Sequence, residues 1–132
     1  MNNQEYLHLI EKYPNLTTHG FGVEIDRTSG MSYRATFDEA REELNQFYPG
    51  FEEACSWLAA QGTVNPGRAV CFWKGDLENH LSLMNKKIRV PRGVVMLAAI
   101  YLGYNLRRFY NSCGAKIGTK AKNRVRISRP PK

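Results

Sequence analysis

Three histidines and three cysteines are the side chains of this 132-residue chain best suited to act as nucleophile, acid or base near neutral pH. They are His8, His19, His80, Cys55, Cys71 and Cys113. A metal site calls for such residues in close pairs, CxxC or HxxxH, and the spacing supplies none, so no metal is expected. A Cys–His couple has to join one of the cysteines to His80. All three cysteines stand in apolar or turn contexts, where cysteine is usually a small buried residue. Metal-free cleavage of RNA needs an acid–base pair and a cation for the phosphate. His19 with Glu24 or Asp26, and His80 with Arg89 or Arg92, are the candidate sets, and each depends on the fold to assemble it.

Phosphate-binding loops give nothing firmer. Gly20-Phe21-Gly22 opens like a dinucleotide fingerprint, but Ile25 stands at the third glycine position and the glycines precede a strand instead of following one. No P-loop lysine motif occurs, and no cofactor is expected. Ile117-Gly118-Thr119-Lys120 resembles the backbone clamp of KH domains, with Ala121 where the second glycine belongs and extended sequence after it, which removes the match. No catalytic residue is nominated, and the chain reads as non-enzymatic.

Charge is the stronger signal. From Asn79 to the end there are 13 Lys and Arg residues and no Asp or Glu. The first 66 residues carry a formal charge of −6 and the last 66 one of +13, which together make the net +7. A surface of one sign needs a counter-charge, and nucleic acid is the commonest polyanion. Lys86, Lys87, Arg89 and Arg92 precede the most apolar run, Val94 to Leu102, and Arg107 and Arg108 follow it. Lys116, Lys120, Lys122, Arg124 and Arg126 complete the candidate phosphate contacts, with Arg124-Val125-Arg126-Ile127 at strand period. Gly114, Ala115, Gly118, Thr119 and Ala121 suit a mobile loop or wing, and removing residues 116–132 as an arm is expected to leave most of the fold in place. Tyr101, Tyr104, Phe109 and Tyr110 flank the arginines and suit base stacking, the plain alternative being that they are core. The charge itself has two plain alternatives: a solvated face, or the acidic and basic halves meeting within one chain or between two.

These groups need elements to position them. Tyr6, Leu7, Leu9, Ile10 and Tyr13 at helical spacing predict a first helix ended by Pro14. Phe21, Val23 and Ile25, a turn at 27–30, and Met31, Tyr33 and Ala35 predict a β-hairpin. Thr36 with Glu39 reads as a capping box for a helix running to Phe47, and a second acidic helix follows Pro49-Gly50 with Phe51, Ala54, Cys55 and Leu58 on one face. Residues 62–67 read as a loop. Val70 and Phe72 then suggest a strand ended by Gly75, with Asp76 capping a helix bearing Leu77, Leu81 and Met84. Pro91 and Gly103 bracket a helix over Val94–Leu102. Residues 77–102 can be drawn as helix-turn-helix, but a helix apolar nearly all round cannot present polar groups to base edges, so it is assigned to the core. Extended chain follows, with a turn at 111–114.

The resulting expectation is a single α+β domain over residues 1–128 with a basic tail at 129–132. An N-terminal β-hairpin and acidic helix pair pack on a C-terminal helical unit with a basic β-arm. Its longest apolar run is nine residues, against the roughly 20 that a bilayer span needs. The polar start shows no secretory signal, and the odd cysteine count fits reduced thiols in a cytoplasmic protein. The function expected is backbone recognition of DNA or RNA. The alternatives are an adaptor or inhibitor that docks its basic face on an acidic protein, and a metal-free ribonuclease.

Overall fold

The computed structural model describes residues 2–24, 28, 30–61, 68–108 and 113–120. Asp26, Phe109, Tyr110, Lys122, Arg124, Arg126 and the 129–132 tail lie outside these residues, and of Lys116 and Lys120 the backbone alone is described.

Helix α1 (Asn3–Glu11) starts where the Asn2 side chain accepts the Glu5 amide at 2.9 Å, which satisfies one of the donors a helix start leaves unpaired. A tight antiparallel pair follows, β1 (Leu16–Thr17) and β2 (Gly20–Phe21), with Leu16 opposite Phe21. The hairpin expected over 21–35 is not formed. Instead Ser32 caps helix α2 (Tyr33–Glu43) by accepting the Ala35 amide at 3.1 Å. Thr36, read as the cap, lies inside this helix, and its hydroxyl donates to the Ser32 carbonyl at 2.9 Å. The earlier cap wins because its own carbonyl and hydroxyl together complete the first turn. Residues Leu44–Gln46 form a 3-10 turn, and α3 (Tyr48–Ala60) accommodates Pro49 in its first turn, where an amide proton has no partner to lose.

Strand β3 is the dipeptide Arg68–Ala69, and α4 (Val70–Leu83) begins directly after it. The expected strand at 70–73 is therefore helix, and the chain passes through Gly75 without a break. Val70, Trp73, Leu77 and Leu81 are the buried positions of α4, a spacing of three and four residues that fits a helix stripe and not a pleat. Asn85, at φ 58°, reverses the chain, and Pro91 leads into α5 (Arg92–Leu102), which Gly103 ends in the left-handed conformation at φ 88°. β4 (Tyr104–Arg108) and β5 (Ala115–Lys120) complete an antiparallel sheet of order β3-β5-β4.

The architecture is α+β, with α5 at its centre. Every residue from Gly93 to Ile100 is buried, packed by α3, α4, β2 and the β4–β5 hairpin. Two phenols anchor the layers around it: Tyr6 donates to the Leu44 carbonyl at 2.6 Å and Tyr104 to the Leu58 carbonyl at 2.8 Å. Burial pushes both phenols above their ordinary pKa. The guanidinium of Arg41 donates to the carbonyls of Ile10, Tyr13 and Leu16 at 2.8–2.9 Å, joining α2 to the end of α1. The expectation of a detachable 116–132 arm needs correction at its first residues. β5 is the central strand of the sheet, and its Ala115 and Ile117 are fully buried.

Candidate nucleic-acid interface

α4, the 84–91 connection and α5 follow one another as a helix-turn-helix does, with a connection longer than its usual three or four residues, and the β4–β5 hairpin comes next. The position that a recognition helix would occupy is filled by α5, and the 17–24 segment closes its first turn. Gly93 donates its amide to the Thr18 carbonyl at 3.2 Å, and a Cβ at Gly93 would overlap the Thr17 carbonyl. The burial of α5 expected from its composition is thus observed, and groove reading by this helix is sterically closed.

The 17–24 turn holds itself by polar contacts. Thr17 Oγ1 accepts the His19 amide at 3.0 Å and donates to the Gly22 carbonyl at 2.7 Å. His19 Nδ1 accepts the Glu24 amide at 3.1 Å. Glu24 in turn accepts from Arg92 at 2.9 Å, and the Phe21 amide donates to the Cys113 carbonyl at 2.9 Å. Over the ring of Phe21, at 4.6 Å from its centre, lies the guanidinium of Arg108. His19, Glu24, Arg92 and Arg108 therefore gather around the first turn of α5 and the end of the hairpin.

This is one of the two constellations considered for metal-free phosphodiester cleavage, and its hydrogen bonding opposes that role. An Nδ1 that accepts an amide proton leaves the neutral imidazole with its proton on Nε2, so neither nitrogen offers a lone pair to a substrate hydroxyl. For the other constellation, His80 is exposed in the last turn of α4, while Arg92 is held by Glu24 and Arg89 lies over the Phe47 ring. Burial opposes thiol chemistry at two of the three cysteines, while Cys71 is exposed, against the burial expected of it. Burial, reinforced by Glu24, raises the pKa of Cys113 against the opposing effect of Arg92 and Arg108, and burial with Glu52 pushes Cys55 up to about 12. Among the described residues no three His, Cys, Asp or Glu side chains gather as a metal would require.

The basic residues divide into two kinds. Lys86 is tied to Glu53 at 2.8 Å and Arg92 to Glu24 at 2.9 Å, so two cations of the basic half are partly neutralised by the acidic half of the same chain. Lys87, Arg89, Arg107 and Arg108 have no carboxylate partner among the described residues. Lys87 and Arg89 line a shallow groove of about 470 Å³ with Ser82 and Asn85, on the segment that enters α5. Arg89 lies 5.9 Å from the centre of the Phe47 ring. On β4, Leu106 is buried and Arg107 exposed, while Arg108 returns to the inner side and covers Phe21. The register sets Lys116 directly opposite Arg107, where opposite charges would stabilise a sheet and like charges cost free energy.

Lys87 and Arg89 lie in the connection that leads into α5, and Arg108 covers Phe21 of the turn that packs on the start of that helix. The sequence located these cations. It did not reveal Glu24 and Glu53 as their internal partners, nor Phe21 and Phe47 as the rings under two arginines. The aromatic candidates separate as well. Tyr104 is fully buried and belongs to the core, whereas Tyr101 is 37% exposed with its ring edge-on to Phe51. Comparison with family models, curated proteins and solved structures finds no match to this chain.

Proposed function

We propose that this protein is a non-enzymatic nucleic-acid-binding protein that grips the phosphate backbone with cations of its basic half. The observation that carries the reading is the set Lys87, Arg89, Arg107 and Arg108, four cations of the basic half that have no carboxylate partner among the described residues. Arg108 on Phe21 has one face covered by the ring, which favours an orientation with its N–H edge available for bidentate contact to a phosphate. Lys116 opposite Arg107 raises the local potential further. With α5 buried, recognition rests on backbone contacts and shape, so affinity depends on salt and only weakly on base sequence.

Binding to labelled DNA and RNA oligonucleotides over a salt series tests this. If about five side chains meet phosphates, the log–log slope is about −4.5 for a duplex. Absence of binding at low salt, or affinity indifferent to salt, removes the proposal.

A further inference from the structure

Helix α2 opens with an aromatic pair that stays outside the hydrophobic core of the described residues. Tyr33, its first residue, is 51% exposed, and Phe37 is half-buried. Their four-residue spacing puts the rings on one face, with centres 6.3 Å apart and planes 22° from parallel. The phenol reaches the 17–24 turn, since a Cβ on Gly22 would lie 3.0 Å from the Tyr33 hydroxyl oxygen. Gly22 adjoins Phe21, the ring under Arg108, and stands two residues before Glu24, the partner of Arg92. The turn that receives the phenol is therefore the one that both arginines contact. A single exposed ring calls for no explanation. A ring set beside a guanidinium with no carboxylate partner among the described residues combines the two groups that hold an unpaired nucleotide.

We infer that Tyr33 is a stacking platform for an unpaired base, so that the preferred ligand is single-stranded nucleic acid. The inference rests on the phosphate-binding reading above and adds a substrate class to it. In a duplex the faces of the bases are covered by their neighbours, and phosphates and groove edges are what a protein meets. In a single strand a base can turn out and lie on an aromatic ring while the phosphate beside it meets a cation. Tyr33 and Arg108, joined through Gly22 and Phe21, supply the two parts of that contact. The ring is also preorganised. Ser32 fixes the start of the helix and the hydroxyl rests against the turn, so little side-chain freedom is left to lose on binding. Asp38, next to Phe37 in the sequence, is paired with Arg34 at 3.5 Å, which lessens its repulsion of an approaching strand. Duplex binding through phosphates persists, without the stacking contribution.

Fluorescence anisotropy with the full chain tests this, using a labelled DNA strand, the same strand made abasic, and the duplex. The abasic strand carries the phosphates without the rings. The parent protein is expected to favour the base-bearing strand over the abasic one by about fivefold or more for one stacked base. Tyr33→Leu should abolish that preference while leaving the salt slope, the duplex affinity and the circular dichroism unchanged. Tyr33→Trp should retain the preference, and the added indole fluorescence should be quenched by the base-bearing strand. Equal affinity of the parent for the two strands overturns the inference, as does a folded Tyr33→Leu variant that keeps the parent's preference. Either result, with salt-dependent binding retained, leaves the phosphate grip standing, whereas failure to bind any of the three ligands at low salt removes both.

Discussion

Replacing Glu24 with Gln probes the balance between the two halves of the chain. Glu24 is 59% exposed and holds the 26%-exposed Arg92 at 2.9 Å. An ion pair this accessible contributes at most about 1 kcal/mol, so the substitution should lower stability by less than that. The Glu24 amide, not its side chain, bonds His19, and the turn over α5 should persist. The effect on binding should be the larger one. Removing the carboxylate releases Arg92 next to Arg108 and adds about one phosphate contact. A single contact steepens the log–log salt slope by about 0.9, which at about 0.1 M salt raises affinity roughly eightfold. Fluorescence anisotropy of a labelled duplex, titrated at several salt concentrations with parent and variant, measures both quantities. An affinity that is unchanged or reduced, with the fold intact, would refute the claim that Glu24 restrains a cation of the binding surface.

Three further outcomes follow from particular contacts. Gly93→Ala drives a methyl group into the Thr17 carbonyl and should cost about 1–3 kcal/mol in chemical denaturation; an unaltered midpoint would contradict the close packing of the 17–24 turn on α5. Arg41→Leu strips the donors from three carbonyls and should cost about 2 kcal/mol, read in the same assay, whereas a neutral effect would mean that water replaces the guanidinium without loss. Cys55 is raised from 9.0 to about 12 in the folded protein, chiefly by burial. The unfolded thiol therefore loses its proton first, and the associated stability, complete below about pH 9, is lost as pH rises toward 12. Cys55→Ala should flatten the alkaline fall in stability, and denaturation curves that remain parallel to those of the parent would exclude this.

The parts of the fold legible in the sequence are those with strong local punctuation. α5 is announced by an unbroken apolar run between Pro91 and Gly103, and its burial follows from having no polar face. β4 follows from the turn to an extended pattern after Gly103, whereas β5 falls where a mobile wing was expected. α4 was obscured by Gly75, which breaks most helices and here sits inside one, and by the alternation of Val70 and Phe72. The stripe Val70, Trp73, Leu77, Leu81 prevails because a whole helix face buried against α5 outweighs one unfavourable residue. Likewise Ser32 competes with Thr36 as a helix cap, and short range alone does not decide between them. At the candidate interface, the positive residues were visible at once. Their neutralisation was not, because Arg92–Glu24 and Lys86–Glu53 join residues 68 and 33 positions apart and exist only after the halves have packed.

The structure also moves the boundary of a truncation test. Deleting from residue 116 would remove the middle strand of a three-stranded sheet together with buried Ile117, so loss of binding would report unfolding. A deletion that begins after Lys120 preserves every described element.

The most direct measurement compares the salt dependence of duplex binding by the parent chain with that of a variant in which Lys87, Arg89, Arg107 and Arg108 are all changed to Gln. These side chains are exposed or half-buried and hold no described carboxylate, so the fold should survive, as circular dichroism would show. If all four meet phosphates, the slope becomes shallower by about 3.6 and binding at moderate salt collapses. A folded variant that binds with the parent's affinity and slope would contradict the assignment of this surface to nucleic acid.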